Sequence, residues 1–153
     1  RLFERGGIDE FPRDEHFLTS MTLLAPACEI AGSPRYARRL YEILAPFADR
    51  IIPSAHGATC NGSVAYHLGR LAVALGDFDT ADEHFADSRA RFRQLESPLW
   101  VAHNQHAHAR ALWKRGTPGD REEARGLQAE ARATYERLGL GYRVAQAREL
   151  DED

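Results

Sequence analysis

Apolar residues recur three and four positions apart along most of the chain, the spacing of one face of an α-helix. Phe17, Met21, Leu24, Cys28 and Ala31 share such a face and predict a first helix from near Asp14 to Ala31. Pro26 should kink it, because an interior proline loses a hydrogen bond and crowds the preceding turn. Gly32 should stop it. Ser33-Pro34 puts a capping hydroxyl before a proline at the first helical position. Ala37, Leu40, Tyr41, Leu44 and Phe47 then mark a second helix, bent by Pro46 near its end. Asp49 to Gly62 reads as the longest loop, and loops of this length are often functional or packed as a unit. Ser63 should cap a third helix with Val64, Leu68, Leu71 and Leu75 inward. After the Gly76-Asp77 turn, a fourth helix from Asp79 to Leu95 should bury Ala81, Phe85, Ser88 and Phe92 and turn Arg89, Arg91 and Arg93 to solvent. Ser97-Pro98 opens a fifth helix to Arg115. Asp120 and Glu123 resemble a capping box for a sixth, Arg121 to Leu138. A short helix after Gly141 points Val144 and Ala147 inward. Before the first helix, an extended lead-in has Leu2, Phe3, Ile8 and Phe11 available to dock, and Asp151-Glu152-Asp153 reads as a frayed acidic end. No convincing strand alternation is present.

The pattern repeats itself. GDFDTADEHFADSRARFRQL, from Gly76, returns in diverged form as GDREEARGLQAEARATYERL, from Gly119, 43 residues on. Gly76/Gly119, Asp77/Asp120, Ala81/Ala124, Ala86/Ala129, Arg89/Arg132, Ala90/Ala133 and Leu95/Leu138 are identical, and Phe92 aligns with Tyr135. A period of this size predicts stacked helix pairs, because one pair cannot bury its apolar face alone.

Leu68-Gly69, Ala81 twelve residues after the glycine and Phe85 four later resemble the tetratricopeptide pattern. There a small residue on helix A admits its partner, and Ala and an aromatic on helix B fill the gap. Leu24-Ala25 with Ala37 and Tyr41, and Ala109 with Ala124 and Tyr135, fall in equivalent places. The spacing here is 43 to 44 residues, against about 34 in the standard repeat. An extra turn, Thr117-Pro118-Gly119, enters the third pair, and His108 stands where Leu is expected. The stretch from about Phe11 to Leu140 further resembles the C-terminal helical-repeat region of bacterial LuxR-type ATP-dependent transcription regulators and of multidomain adenylate cyclase-like ATPases. The segments that carry this are PRDEHFLTSMTLLAPACEIAGSP, RLYEILAPFADR, CNGSVAYHLGRLAVALGDFDTADEHF and REEARGLQAEARATYERLGL. The resemblance implies an all-α, right-handed superhelix of antiparallel helix pairs. About three long repeats (residues 14–51, 63–95 and 98–138) would follow a lead-in at 1–13 and precede a capping helix at 141–150. It also implies a non-catalytic regulatory or protein-interaction region. No GxxxxGK[ST] and no basic recognition helix occurs in the chain.

Composition narrows this picture. Charged residues are 28% and the formal charge is −3. An acidic balance argues against direct nucleic-acid binding. No apolar run approaches the ~20 residues of a membrane span, and no secretory signal is present. Two cysteines, Cys28 and Cys60, without CxxC spacing fit a reducing cytoplasm. The chain begins at Arg1 without Met, so we expect a piece of a larger protein, and a truncated array can dimerise through its end face.

Candidate chemistry centres on the histidines of HNQHAHAR. His103 and His106 share a helix face, but structural zinc wants four ligands; HExxH is absent, and a third ligand would have to come from elsewhere, such as His67 or Glu83. The carboxylates Asp79, Asp82, Glu83, Asp87, Glu122 and Glu123 have the spacing of solvated faces, and no cofactor, metal or catalytic residue is expected. Cys60 precedes a helix N-terminus, where a thiolate is favoured, yet no nucleophile elbow surrounds it. In tetratricopeptide-like arrays helix A lines the inner surface. Carrying that register over gives Tyr66 and Arg70 on the third helix and His103, His106, Arg110, Trp113 and Lys114 on the fifth. Such a groove would be positive, with aromatic walls, and would suit an acidic peptide or an acidic segment of the parent protein. The alternative is a small-molecule sensor using the same concave surface.

Overall fold

A computed structural model describes Ile8, residues 11–54 and residues 59–149. The expected docking of Leu2 and Phe3 and the frayed end Asp151-Glu152-Asp153 lie outside the described residues. Among the described residues are seven α-helices: α1 (Phe17–Ala31), α2 (Pro34–Leu44), α3 (Val64–Leu75), α4 (Phe78–Gln94), α5 (Pro98–Arg115), α6 (Asp120–Arg137) and α7 (Gly141–Glu149). One two-stranded antiparallel sheet, β1 (Ile51–Ser54) and β2 (Thr59–Ser63), accompanies them. None of these helices is long and apolar enough to cross a membrane. The chain divides into two compact units, Arg1–Asp77 and Phe78–Asp153.

In the first unit, α1, α2 and α3 enclose one apolar core. Met21, Ala25, Ala37, Leu40, Leu44, Ile52, Val64, Leu68 and Leu71 are its fully buried members. Ile8 is buried in it and Phe11 packs against it, as expected of the lead-in. α1 runs through Pro26 and ends at Gly32, whose φ of 58° is left-handed. α2 ends at Leu44 and passes into a 3₁₀ turn, Ala45–Phe47, where Pro46 cannot continue the α-helical pattern. The sheet corrects the expected open loop. Its strands are four and five residues long, and Pro53 interrupts the first at an irregular register. So short and broken a run shows no alternation in sequence. It forms because Ile52 is drawn wholly into the core and Thr19 Oγ1 donates to the Pro53 carbonyl at 3.3 Å.

In the second unit, α5 lies between α4 and α6, and α7 packs on α6. Its apolar contacts are small. One group is Ala102, Ala131, Tyr135 and Ala147, with Leu99, Leu140 and Val144 beside them. The other is Ala109, Leu112 and Ala124, with Trp113 and Leu127. α4 buries Ala81, Phe85, Ser88 and Phe92, the four its periodicity predicts. Alanine lets helices approach closely but buries little apolar area. Long polar side chains fill the rest of the interface.

The caps depart from expectation in an instructive way. Ser63, before Val64, has ψ 155° and its Oγ accepts from Tyr66 N at 3.1 Å. Ser33 and Ser97, each before a proline, have ψ 98° and 83° and make no side-chain cap bond. Proline restricts the residue before it, and these two serines contribute only their backbone carbonyls, to Ala37 N and Val101 N.

Helix ends recur with the sequence repeat. At α3, Gly76 N bonds Val73 O and Asp77 N bonds Ala72 O, with φ 78° at Gly76. This is the Schellman arrangement. α6 ends the same way at Gly139, φ 70°. α4 ends the same way at Glu96, 43 positions before Gly139, with φ 49°. Glu96 is the one non-glycine at positive φ among the described residues. A side chain there costs energy that glycine avoids. Glu96→Gly should therefore raise stability by about 0.5–1 kcal/mol, read as a higher urea midpoint at unchanged slope. A lower midpoint would refute the strain.

Candidate functional site

α5 carries the densest polar chemistry in the second unit. Asn104, Gln105 and His108 are all buried on it. His108 stacks on Phe85 of α4 at 5.3 Å. Its Nδ1 meets Arg89 Nη1 at 3.2 Å and its Nε2 meets Asp82 Oδ1 at 2.9 Å. Arginine only donates, so Nδ1 accepts, and Nε2 carries the hydrogen and donates to Asp82. His108 is thus a neutral bridge. Burial depresses its pKa most, while Asp82 pulls the other way.

Asp82 also ties to Arg115 at the end of α5. Arg115 Nη1 donates to Asp82 Oδ2 at 2.6 Å. Its Nε and Nη2 grip Asp120 at 2.9 and 2.7 Å, a bidentate fork. Thr117 N adds a fourth bond, to Asp120 Oδ2 at 2.8 Å. The Arg115 bonds, above all, hold the Asp120 carboxyl well below the usual range. Asp120 is therefore no capping residue: Gly119 precedes α6 and no side-chain cap bond is made. Arg89 likewise does not simply face solvent, because α5 packs alongside α4 and brings His108 to it.

The remaining α5 bonds go to α6. His103 Nδ1 pairs with Tyr135 Oη at 2.8 Å. His106 Nδ1 donates to Gln128 Oε1 at 3.0 Å, and Gln128 Nε2 donates on to the Ala147 carbonyl of α7. Gln105 donates to Glu130. Asn104 is fully buried, and neither of its amide atoms has a hydrogen-bond partner.

The seven residues proposed for a groove are thus distributed as follows. Tyr66 and Arg70 belong to the first unit. Arg70 lies over the Tyr66 ring at 5.8 Å and donates to Glu29 of α1, its Nε at 2.8 Å. Its charge is therefore answered by a carboxylate 41 positions away. The other five lie along α5. His103 and His106 spend a ring nitrogen each on α6. Trp113 lies under Arg121 of α6, whose Cζ is 4.1 Å from the ring centroid, with Arg125 at 5.9 Å. Arg110 and Lys114 are exposed. Among the described residues no group of three His, Cys, Asp or Glu side chains is arranged to hold a metal ion.

Two other expectations concern single residues. Cys60 is half-buried and its Sγ accepts from Gly62 N at 3.3 Å, a local anchor within β2. His67, weighed as a metal ligand, is buried with Nε2 against the Asn61 carbonyl at 3.0 Å. The carbonyl only accepts, so Nε2 holds the hydrogen and Nδ1 is left buried without a partner.

Periodicity missed Asp82, Arg115, Arg121 and Arg125 as members of defined clusters. The i,i+4 spacing of Arg121 and Arg125 was the one available signal. No family model, curated protein or solved structure matches the chain.

Proposed function

We propose that this chain is a non-catalytic interaction region, a tetratricopeptide-like repeat segment of the kind found in LuxR-type and cyclase-like bacterial regulators, and that it docks a protein segment. The recurrence of one helix-ending geometry at 43-residue spacing, at Glu96 and Gly139, carries this proposal. It supports a repeat in the backbone as well as in the letters. The chemistry of the second unit supports the non-catalytic part. Its interior charges neutralise one another, and His108 has both ring nitrogens engaged. A general base needs a lone pair within reach of a substrate proton.

The docking face is the exposed edge of α5 that bears Arg110 and Lys114, and the partner is an acidic segment. Charge reversal of both, Arg110→Glu with Lys114→Glu, should weaken binding of a pool of Asp/Glu-rich peptides by at least about tenfold. Calorimetry on the full chain measures this. Equal affinity in parent and variant would remove the face from consideration. A small-ligand sensor is the second possibility, favoured by the orphan amide of Asn104. A melting-temperature rise with carboxylate metabolites but with no peptide would select it.

A further inference from the structure

The arginines over Trp113 are held differently from the hydrogen-bonded arginines of the second unit. Arg115 is consumed by two carboxylates, and Arg89 by His108. Arg132 and Arg143 have partners on their own helices, Glu136 and Gln146. Arg121 and Arg125 instead converge on one aromatic ring from successive turns of α6. Among the described residues neither has a carboxylate within ion-pair distance.

Stacking on an indole face fixes a guanidinium plane while leaving its N–H donors at the edge. The ring thus removes much of the rotamer freedom that an exposed arginine loses on binding. Two such forks held against one ring repel each other until an anion lies between them. A single carboxylate offers one charge and two oxygens, enough for one fork. A phosphate monoester offers close to two charges and three oxygens, which matches two forks. The exposed Glu122 and Glu123 sit beside Arg121 on the same helix. They leave no continuous positive track for a long polyanion, and confine the site to one anionic group.

We propose that Arg121 and Arg125, organised by Trp113, bind a phosphorylated side chain on a short protein segment. The inference rests on the reading of the chain as a docking region but not on the Arg110 edge assigned there.

The test is calorimetry on the full chain with degenerate seven-residue peptides around a fixed phosphothreonine, compared with the same pool carrying glutamate. The phosphorylated pool should bind at least about tenfold more tightly than the glutamate pool. Trp113→Ala and Arg121→Lys with Arg125→Lys should each lose most of that preference, and the lysine pair, whose parent side chains are exposed, should keep the melting temperature of the parent. The lysine pair keeps the charge and removes the forks, so its loss marks bidentate recognition. Equal binding of the two pools overturns the proposal, as does full affinity in the lysine variant. Equal binding of a single-stranded oligonucleotide also overturns it. Binding of acidic peptides that depends on Arg110 but not on Arg121 overturns this inference while leaving the docking function intact.

Discussion

Arg115→Ala should lower the melting temperature by on the order of 5–10 °C. The side chain joins three helices at once, with Asp82 on α4, its own α5 and Asp120 on α6. Asp120 is 4% exposed, so without the arginine its carboxylate stays in the interior with only the Thr117 N–H for company. Leaving a buried charge uncompensated costs far more than losing a surface ion pair. His108 would feel the change as well, since Asp82 accepts from both residues. Arg115→Lys should recover only part of the loss, because an ammonium cannot fork onto Asp120 while reaching Asp82. Adding Asp120→Asn to Arg115→Ala should regain stability relative to Arg115→Ala alone, since it removes the stranded charge. Calorimetric melting of the four proteins checks the set. Identical melting of Arg115→Ala and parent would show that the network contributes nothing.

The fold should also weaken steadily on mild acidification. His67 in the first unit and His103 in the second both have pKa values lowered to about 4, chiefly by burial. Nearby cations assist: Arg70 for His67, and Arg143 and His106 for His103. In the unfolded chain both titrate near 6.5. Between these values the unfolded state binds more protons than the native state, so stability rises with pH. Their contribution is complete above about pH 6.5 and is lost as pH falls towards 4. The slope approaches about 1.4 kcal/mol per pH unit for each histidine across that window. His108 adds to it in the same direction. Urea midpoints measured from pH 7.5 to 4.5 give the slope directly. His103→Gln should remove one histidine's share and leave the rest. A midpoint that holds constant from pH 6.5 to 4.5 would contradict the buried neutral state of both rings.

The helices were legible because each buries one stripe of its surface. Ala81, Phe85, Ser88 and Phe92 of α4, or Val64, Leu68 and Leu71 of α3, announce their faces by spacing alone. Their C-terminal stops were legible too, where glycine must take positive φ. The strand pair was not, since four residues broken by Pro53 cannot display a period. Glu96 was not either, because its left-handed turn is imposed by the Ser97-to-Phe92 bond on a residue that does not ask for it.

Local sequence therefore determined where this chain is helical, which stripe of each helix turns inward and where most helices stop. These properties depend on neighbours within one or two turns. Only tertiary structure decided what the polar residues do. Arg70 finds Glu29, His108 finds Arg89 and Asp82, and Trp113 finds Arg121 and Arg125, each across a helix interface. Nothing in the spacing of one helix records which polar side chain of another will face it. That pairing follows from helix packing, and from the cost of burying any of these groups alone.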